Sequence, residues 1–221
     1  MQDGSGRIFC RTCAGTLPPC LACGAPVDAR GCIVGEGRFR CWICSTSAVD
    51  DPDQAQKLYA EVQETMAQEL GMVLNIPTAL VPMDLTQFQA MIETQMIADA
   101  HPTELRQPRG LYVRKGRKRG IYMQLGLPRV HSIEVIAHEL GHAWQIERSP
   151  LLTDPALVEG FAEWVAFQVL NSLGEVAAMK VMLGRSDIYG EGLRQILGWR
   201  LDDPRTVLVL QRDFAKGDEI C

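Results

Sequence analysis

The spacing of the cysteines constrains the N-terminal part of this chain more than any other feature. Seven of the eight cysteines lie between positions 10 and 44. Four of them form the pattern C-x2-C-x17-C-x2-C: Cys20, Cys23, Cys41 and Cys44. Each C-x-x-C turn directs two thiolates at one point, so two turns complete a closed tetrahedral zinc site. We expect a structural zinc ion here, with four free thiols as the alternative, because four sulfur ligands leave no position for a substrate.

The other cysteines of this segment leave more than one interpretation open. Cys10 and Cys13 form a third C-x-x-C pair without an obvious partner pair. They are either half of a second zinc site or two unligated thiols. Cys32 is single, and we predict a small buried apolar residue there, not a ligand. A segment this short needs metal in place of a hydrophobic core, which predicts a zinc-binding module at residues 1–50.

After residue 50 the composition changes to long helical patterns, which predicts a second domain at residues 51–221. Hydrophobic residues make up 47% of the chain and charged residues 22%, as in ordinary globular proteins. The net charge of −5 argues against a nucleic-acid binder, and no apolar run is long enough to span a membrane. Because no signal segment is visible and paired cysteines more often bind metal than form disulfides in the cytoplasm, we expect a cytoplasmic protein.

Capping and turn residues predict an α+β domain, mostly helical, with a small antiparallel or mixed sheet. The predicted elements are, in order, a helix from Asp53 to Leu70, a strand region at 72–83, a helix capped by Asp84, a hairpin with strands at 111–114 and 120–126, a helix around 136–145, a helix from Asp154 to about Asn171, and further helices with a break at IYGEG, 188–192.

Residues 136–145, IAHELGHAWQ, contain the pattern H-E-x-x-H. His138 and His142 are four positions apart and share one face of a helix, so both imidazoles can reach one ion. Glu139 would lie close enough to an attacking water to take its proton. In zinc peptidases the metal activates the water and polarises the scissile carbonyl, while the glutamate is general base and then general acid. An accidental match on an ordinary amphipathic helix is the alternative.

A catalytic zinc also needs a third protein ligand and one open position. Glu159 lies seventeen residues after His142, in VEGFAEW, and Glu163 lies one turn further on the same helix face. Two carboxylates on such an apolar helix indicate a positive charge nearby. We assign Glu159 as the third ligand and Glu163 as the carboxylate that orients a histidine ligand through its other nitrogen. A partly solvated face is the alternative for Glu163.

Three further features carry weaker expectations. The strand at 120–126 precedes the H-E-x-x-H helix, and it is either an edge strand that binds an extended substrate or a plain core strand. The basic turn RKGRKR, 114–119, is either a solvated hairpin tip, which we favour, or an attractor of acidic partners. His101 and His131 lack ligand spacing, so we predict that neither binds metal.

Several segments together resemble the LIM-domain zinc peptidases first known as plant organ-size regulators. They are GLPRVHSIEVIAHELGHAW, VEGFAEWVA, YGEGLR, LGMVLNIPTALVPMD, PPCLACGAPV and RFRCWIC, which span most of residues 7–200. The resemblance implies a LIM-like or zinc-ribbon module followed by a gluzincin-like metallopeptidase domain. With only one complete zinc-site pattern in the module, the chain looks like an N-terminally shortened or a reduced bacterial-type member.

The resemblance also implies roles for single residues. It carries the metal ligands to His138, His142 and Glu159 and the catalytic glutamate to Glu139. Tyr189 matches a tyrosine of that family; its phenol is suited to donate a hydrogen bond to the oxyanion, and a core tyrosine is the alternative. Glutamine stands in the plant pattern at the position of Glu163. Ubiquitin-interacting segments of the plant proteins have no counterpart in these residues, so regulation by ubiquitin is not carried over.

Taken together, the motifs predict a zinc-dependent endopeptidase with one catalytic and at least one structural zinc ion. We expect a protein or peptide substrate, a protein partner bound through the zinc module, and neither nucleic acid nor membrane as a partner. The alternatives are a catalytically silent adaptor on a peptidase fold, which the intact H-E-x-x-H and third carboxylate disfavour, and a zinc hydrolase of non-peptide substrates.

Overall fold

The computed structural model describes residues 8–34, 37–99, 108–116, 118–149, 154–200 and 203–215. Within these ranges the chain has a mixed α/β structure of helices and small sheets, which confirms the predicted class at that level. His101, predicted not to bind metal, lies outside them. The elements are α1 Arg11–Thr16, β1 Cys32–Val34, β2 Arg38–Arg40, α2 Trp42–Thr46, β3 Ala48–Val49, α3 Pro52–Leu70, β4 Ala79–Met83, α4 Leu85–Asp99, β5 Gly110–Lys115, β6 Lys118–Gln124, β7 Leu127–Pro128, α5 Arg129–Arg148, α6 Pro155–Ser172, α7 Val176–Leu183, α8 Ile188–Gly198 and α9 Pro204–Ala215.

The N-terminal segment is built around its cysteines. Strands β1 and β2 form an antiparallel hairpin, and α2 follows directly. The buried apolar side chains that cluster in this segment are small: Cys20, Ala22, Ala25, Val27, Cys41 and Cys44. So few apolar atoms bury little surface, which agrees with a segment that depends on a bound ion for its stability.

Two arginines connect this segment to the rest of the chain. Arg40 is buried and donates from Nη1 to the carboxylate of Asp50 at 2.7 Å and to the carbonyl of Gly126 at 2.9 Å. Arg109 donates from Nη2 to the carbonyl of Ala22 at 2.8 Å, inside the first C-x-x-C turn. The cysteine segment therefore packs against the region where β5 begins.

The central sheet has the strand order β4-β6-β5, with β4 parallel and β5 antiparallel to β6. Strand β6 is therefore central, so of the two interpretations of residues 120–126 the core strand holds and the edge strand does not. Strand β4 pairs with the side of β6 that β5 leaves open, and the hydrophobic pattern of β6 does not reveal this second pairing. Of the described strands, β5 forms the edge that faces α5.

Helix α3 forms where the sequence predicts a helix from Asp53 to Leu70, but it begins one residue earlier, at Pro52. Its cap is Asp51, whose carboxylate accepts from the backbone N–H of Asp53, while Pro52 occupies the first turn. Proline suits that position because its missing N–H would have no partner there. The helix ends at Leu70, as the sequence predicts, and Gly71 follows as its C-cap with φ 61°.

Helices α5, α6 and α8 form the part of the core that positions the site. Trp144 of α5 stacks on Phe161 of α6 with ring centroids 5.8 Å apart. A Cβ on Gly160 would lie 2.7 Å from Cα of Gly192, so α6 and α8 approach closely through two glycines. The predicted break at IYGEG is therefore wrong, because α8 runs through this segment and its glycines allow close packing. The interruption between helices lies earlier, between Leu183 at the end of α7 and Asp187, which caps α8.

None of the helices in the described ranges has the length and apolar character that crossing a membrane requires.

Candidate metal centres

Helices α5 and α6 bring three candidate ligands to one point. Nε2 of His138 lies 3.0 Å from Nε2 of His142. Oε2 of Glu159 lies 3.2 Å from the first of these nitrogens and 3.4 Å from the second. Ligand atoms about 2.0–2.1 Å from a tetrahedral zinc are separated by roughly 3.3 Å. The three atoms therefore fit three corners of a zinc tetrahedron, and the group could hold a metal ion.

The electrostatics of this group favour a cation. Burial opposes charge on His138, but its contacts with Glu159 and Glu163 outweigh burial and hold the pKa of His138 well above its usual value. Burial likewise opposes ionisation of Glu159, but its interactions with His142 and His138 outweigh burial and hold the pKa of Glu159 well below its usual value. Positive charge is thus stabilised where the three ligand atoms meet, as a divalent ion requires.

Glu139 lies beside this group, against the edge strand. Its Oε2 accepts a hydrogen bond from the backbone N–H of Tyr112 in β5 at 2.7 Å. A Cβ on Gly110 would lie 3.0 Å from Oε1 of Glu139 and 2.5 Å from Cγ1 of Val135. The carboxylate therefore occupies space that only a glycine in β5 leaves free, and a backbone amide orients it.

Glu163 lies on the other side of His138. Its Oε1 is 3.5 Å from Nδ1 of His138 and accepts a hydrogen bond from Nη1 of Arg185 at 2.8 Å. Only 5% of the Glu163 side chain is exposed. The positive charge that the sequence analysis expected near this helix face is therefore Arg185 as well as the histidines, and the partly solvated alternative for Glu163 is wrong.

Arg185 is a residue that the sequence analysis missed. Its Nε lies 3.2 Å from Oδ1 of Asp187, its guanidinium lies 4.6 Å above the ring of Tyr189, and Nη1 is 3.9 Å from Glu134. Burial opposes its charge, but Glu163 and Asp187 outweigh burial and raise the pKa of Arg185. The distance in sequence between Arg185 and H-E-x-x-H does not mark it as a site residue. Arg185 reaches Glu163 only because α6 packs against the start of α8.

Tyr189 stands in the first turn of α8 and faces the same group. Its ring centroid lies 5.9 Å from that of His138. Burial raises the pKa of its phenol to about 12, so the hydroxyl stays protonated at neutral pH and can donate a hydrogen bond.

The second candidate centre consists of the four cysteines of the C-x2-C-x17-C-x2-C pattern. All four sulfurs lie within 4.8 Å of one another, and Sγ of Cys23 is 3.8 Å from Sγ of Cys41. Sulfurs about 2.3 Å from a tetrahedral zinc are separated by roughly 3.8 Å. Hydrogen bonds from Cys23 and Cys44 lower the pKa of Cys20, while the contact with Cys20 raises the pKa of Cys23 to about 11. Thiols this close resist joint ionisation unless a cation binds, which suits a metal such as zinc.

The other described cysteines, at positions 10, 13 and 32, stay outside this centre. Cys10 caps α1 and its sulfur accepts from the backbone N–H of Cys13 at 3.2 Å. Cys32 is exposed, with its sulfur 3.3 Å from Oγ of Ser45, so the prediction that it is buried is wrong. It fails because β1 belongs to a two-stranded hairpin that leaves the side chain of Cys32 on the surface.

His131 also stays outside both groups. Its Nδ1 lies 3.5 Å from Nη1 of Arg109. Burial and, to a lesser extent, the charge of Arg109 lower the pKa of His131 to about 4, so the imidazole is neutral at physiological pH.

Comparisons with known proteins give a distant relation. No family model matches the chain, and neither does any solved structure. Protein DA1-related 1 of Arabidopsis thaliana is 27% identical over 190 residues, 70% of this chain. Protein DA1 of the same plant is 26% identical over 211 residues, 80% of this chain. The chain is similar to both. It spans only 34% and 39% of their lengths, and the similarity supports the distant relation to plant proteins that the motifs indicate.

Proposed function

We propose that this chain is a zinc-dependent endopeptidase of the H-E-x-x-H…E, or gluzincin, type. The observation that carries the proposal is the position of Glu139, which follows the candidate ligand His138 in the chain and accepts a hydrogen bond from the backbone of an edge strand. A general base next to a metal ligand and in contact with an edge strand is suited to the hydrolysis of an extended peptide. The resemblance to the plant organ-size regulators, which implies a zinc peptidase, supports the same reaction class.

In this proposal His138, His142 and Glu159 hold the catalytic ion. When bound, zinc would lower the pKa of a water molecule and polarise the scissile carbonyl. Glu139 takes a proton from the attacking water and then delivers it to the leaving amine nitrogen. The N–H of Tyr112 keeps the carboxylate of Glu139 oriented during both transfers. Glu163, held by Arg185, orients the imidazole of His138 from its other nitrogen.

Tyr189 has a distinct part in the proposal. Its phenol keeps its proton at neutral pH, since burial raises its pKa, and its ring lies beside that of His138. A protonated phenol in this position donates a hydrogen bond to the oxygen that becomes negative as the water attacks.

The substrate would pair with β5, not with the strand at 120–126. The carbonyl of Arg109 accepts from the N–H of Gln124, so that residue faces β6. The N–H of Tyr112 points the other way, toward Glu139. Because backbone groups of alternate residues in an antiparallel strand face opposite edges, the N–H and carbonyl of Arg114 lie on the open edge with those of Tyr112. An extended peptide can add there as a further strand.

Residues 1–50 would form a LIM-like module that docks a protein partner, and residues 51–221 the peptidase domain. The structural zinc of this module would be held by the four clustered cysteines. Thiolate ligands must remain reduced, which agrees with a cytoplasmic location.

Glu139→Gln tests the reaction directly. Wild type and variant are incubated with unfolded casein, and new N-termini are counted by mass spectrometry. New termini should appear only with the wild type, while zinc content and thermal unfolding remain equal. Glu93→Gln, an exposed substitution on α4, is the matched control and should cleave as the wild type does. Equal termini from wild type and Glu139→Gln would contradict the proposal and favour the silent adaptor.

A further inference from the structure

Strand β5 connects the candidate general base with a strongly basic hairpin tip. The tip, defined here as residues 114–119, has the sequence RKGRKR and contains no acidic residue, although the chain as a whole has a net charge of −5. Glu139 contacts β5 at Tyr112, and the tip begins two residues later. Arg114 and Lys115 thus continue the edge that a substrate would occupy, and Lys118 stands opposite Lys115 at the start of β6.

The charge of the tip is not neutralised within the described part of the chain. Arg114, Lys115 and Lys118 are exposed, and none of them forms an ion pair with a described carboxylate. Arg119 differs, because its guanidinium donates to the carbonyls of Gly116 and Lys118, which braces the turn. Three exposed cations without an ion-pair partner among the described carboxylates therefore stand beside the contacts of Arg119.

The direction in which a substrate pairs with β5 decides which part of it meets these cations. A peptide that pairs antiparallel with β5 has its N-terminal side next to the C-terminal end of β5. Tyr112 and Lys115 are three residues apart, which is about 10 Å at roughly 3.3 Å per residue. Substrate residues about three to five positions N-terminal to the scissile bond would therefore lie beside the tip.

We propose that Arg114, Lys115 and Lys118 select substrates with acidic residues about three to five positions N-terminal to the scissile bond. This inference rests on the proposed peptidase function and names its substrate class. An acidic polypeptide is favoured over nucleic acid because the cations line the end of a sheet edge, whose unpaired backbone groups match an extended peptide. Charge of one sign beside a cleft raises both encounter rate and affinity for the opposite charge.

The test uses the full chain and a peptide built on a cleavage site found in casein. Three versions carry three glutamates N-terminal to the scissile bond, three glutamines there, or three glutamates C-terminal to it. We expect kcat/KM to be about tenfold higher for the N-terminal glutamates than for the glutamines, since exposed ion pairs each contribute modestly. The preference should disappear between about 0.1 M and 1 M salt, as the Debye length falls from about 10 to about 3 Å.

Two charge-reversal variants separate the effect of the tip on substrate preference from the effect of the protein's net charge. Arg114→Glu/Lys115→Glu/Lys118→Glu should abolish or invert the preference. The control Lys57→Glu/Lys180→Glu/Arg205→Glu changes three exposed cations on helices α3, α7 and α9 and should retain the preference. Binding of the same peptides to Glu139→Gln, by fluorescence anisotropy, should show the same order of Kd without any cleavage.

The outcomes distinguish this inference from the proposed function. Cleavage of all three peptides at equal kcat/KM would overturn the charge preference and leave the peptidase in place. A preference for C-terminal glutamates would overturn the antiparallel arrangement. Equal loss of preference in the control variant would show an effect of net charge alone and overturn the role of the tip. Cleavage of none of the peptides or of casein would overturn the proposed function and this inference together.

Discussion

A single methyl group added to β5 should disable the candidate general base. In Gly110→Ala the new Cβ would lie 2.5 Å from Cγ1 of Val135 and 3.0 Å from both Cγ and Oε1 of Glu139. Contacts this short are not tolerated, so the side chains on α5 must move. Val135 is partly buried against the core, and Glu139 can leave only by losing its hydrogen bond to the N–H of Tyr112.

The magnitudes follow from these contacts. Overpacking at a buried position costs about 1–3 kcal/mol of stability. For a domain of this size that lowers Tm by roughly 2–12 °C. A displacement of about 1 Å at a reacting group costs about a hundredfold in rate. We therefore expect kcat/KM to fall about a hundredfold in a protein that is still folded at 25 °C.

Gly120→Ala in the neighbouring strand is the matched control. A Cβ there meets nothing closer than Cε2 of Tyr122 at 3.6 Å, which is ordinary van der Waals contact. The assay compares kcat/KM on the cleaved casein site, zinc content and thermal unfolding for wild type, Gly110→Ala and Gly120→Ala. Full activity of a folded Gly110→Ala, or an equal loss in Gly120→Ala, would refute the proposed restraint of Glu139 by β5.

Two further predictions concern buried titratable side chains, one beside the site and one outside it. Arg185→Met removes the partner of the buried Glu163 carboxylate, so urea unfolding should show a loss of about 3–5 kcal/mol; Arg185→Met/Glu163→Gln should recover part of it, and no recovery would contradict the pairing. Burial lowers the pKa of His131 to about 4, below its unfolded value of about 6.5. The free energy of unfolding should therefore fall by about 2–3 kcal/mol as pH drops from about 6.5 to 4, because the unfolded chain takes up the proton first. If the free energy of unfolding of His131→Gln falls as steeply with pH as that of the wild type, His131 is not the cause.

Local spacing predicts much of what the two centres contain. His138 and His142 share a helix face because four residues make about one helical turn, and each C-x-x-C turn brings its own two thiols together. The approach of Glu159 is less local, but its helix has clear caps at Asp154 and Pro155 and an apolar sequence that must pack on something. The structure brings together the ligand sets that these patterns propose.

Local sequence patterns do not predict strand order or the exposure of single side chains. Strand β6 looks the same in sequence whether one or both of its sides are paired, and the pairing with β4 makes it central. Cys32 is apolar in character, but a two-stranded hairpin offers too little surface to bury it. The glycines at 190 and 192 suggest a break in sequence, although in α8 Gly192 allows close packing against α6 and Gly190 allows close packing against Arg185.

The residues that surround the base and the ligands depend on tertiary packing. Tyr112 reaches Glu139, and Arg185 reaches Glu163, across 27 and 22 residues of chain. The identity of ligands within one helix or one turn follows from the periodicity of the backbone, which the sequence carries by itself. Which backbone amide orients the base, which arginine holds the second carboxylate and which strand edge stays open follow from how distant elements pack, and no local period encodes that.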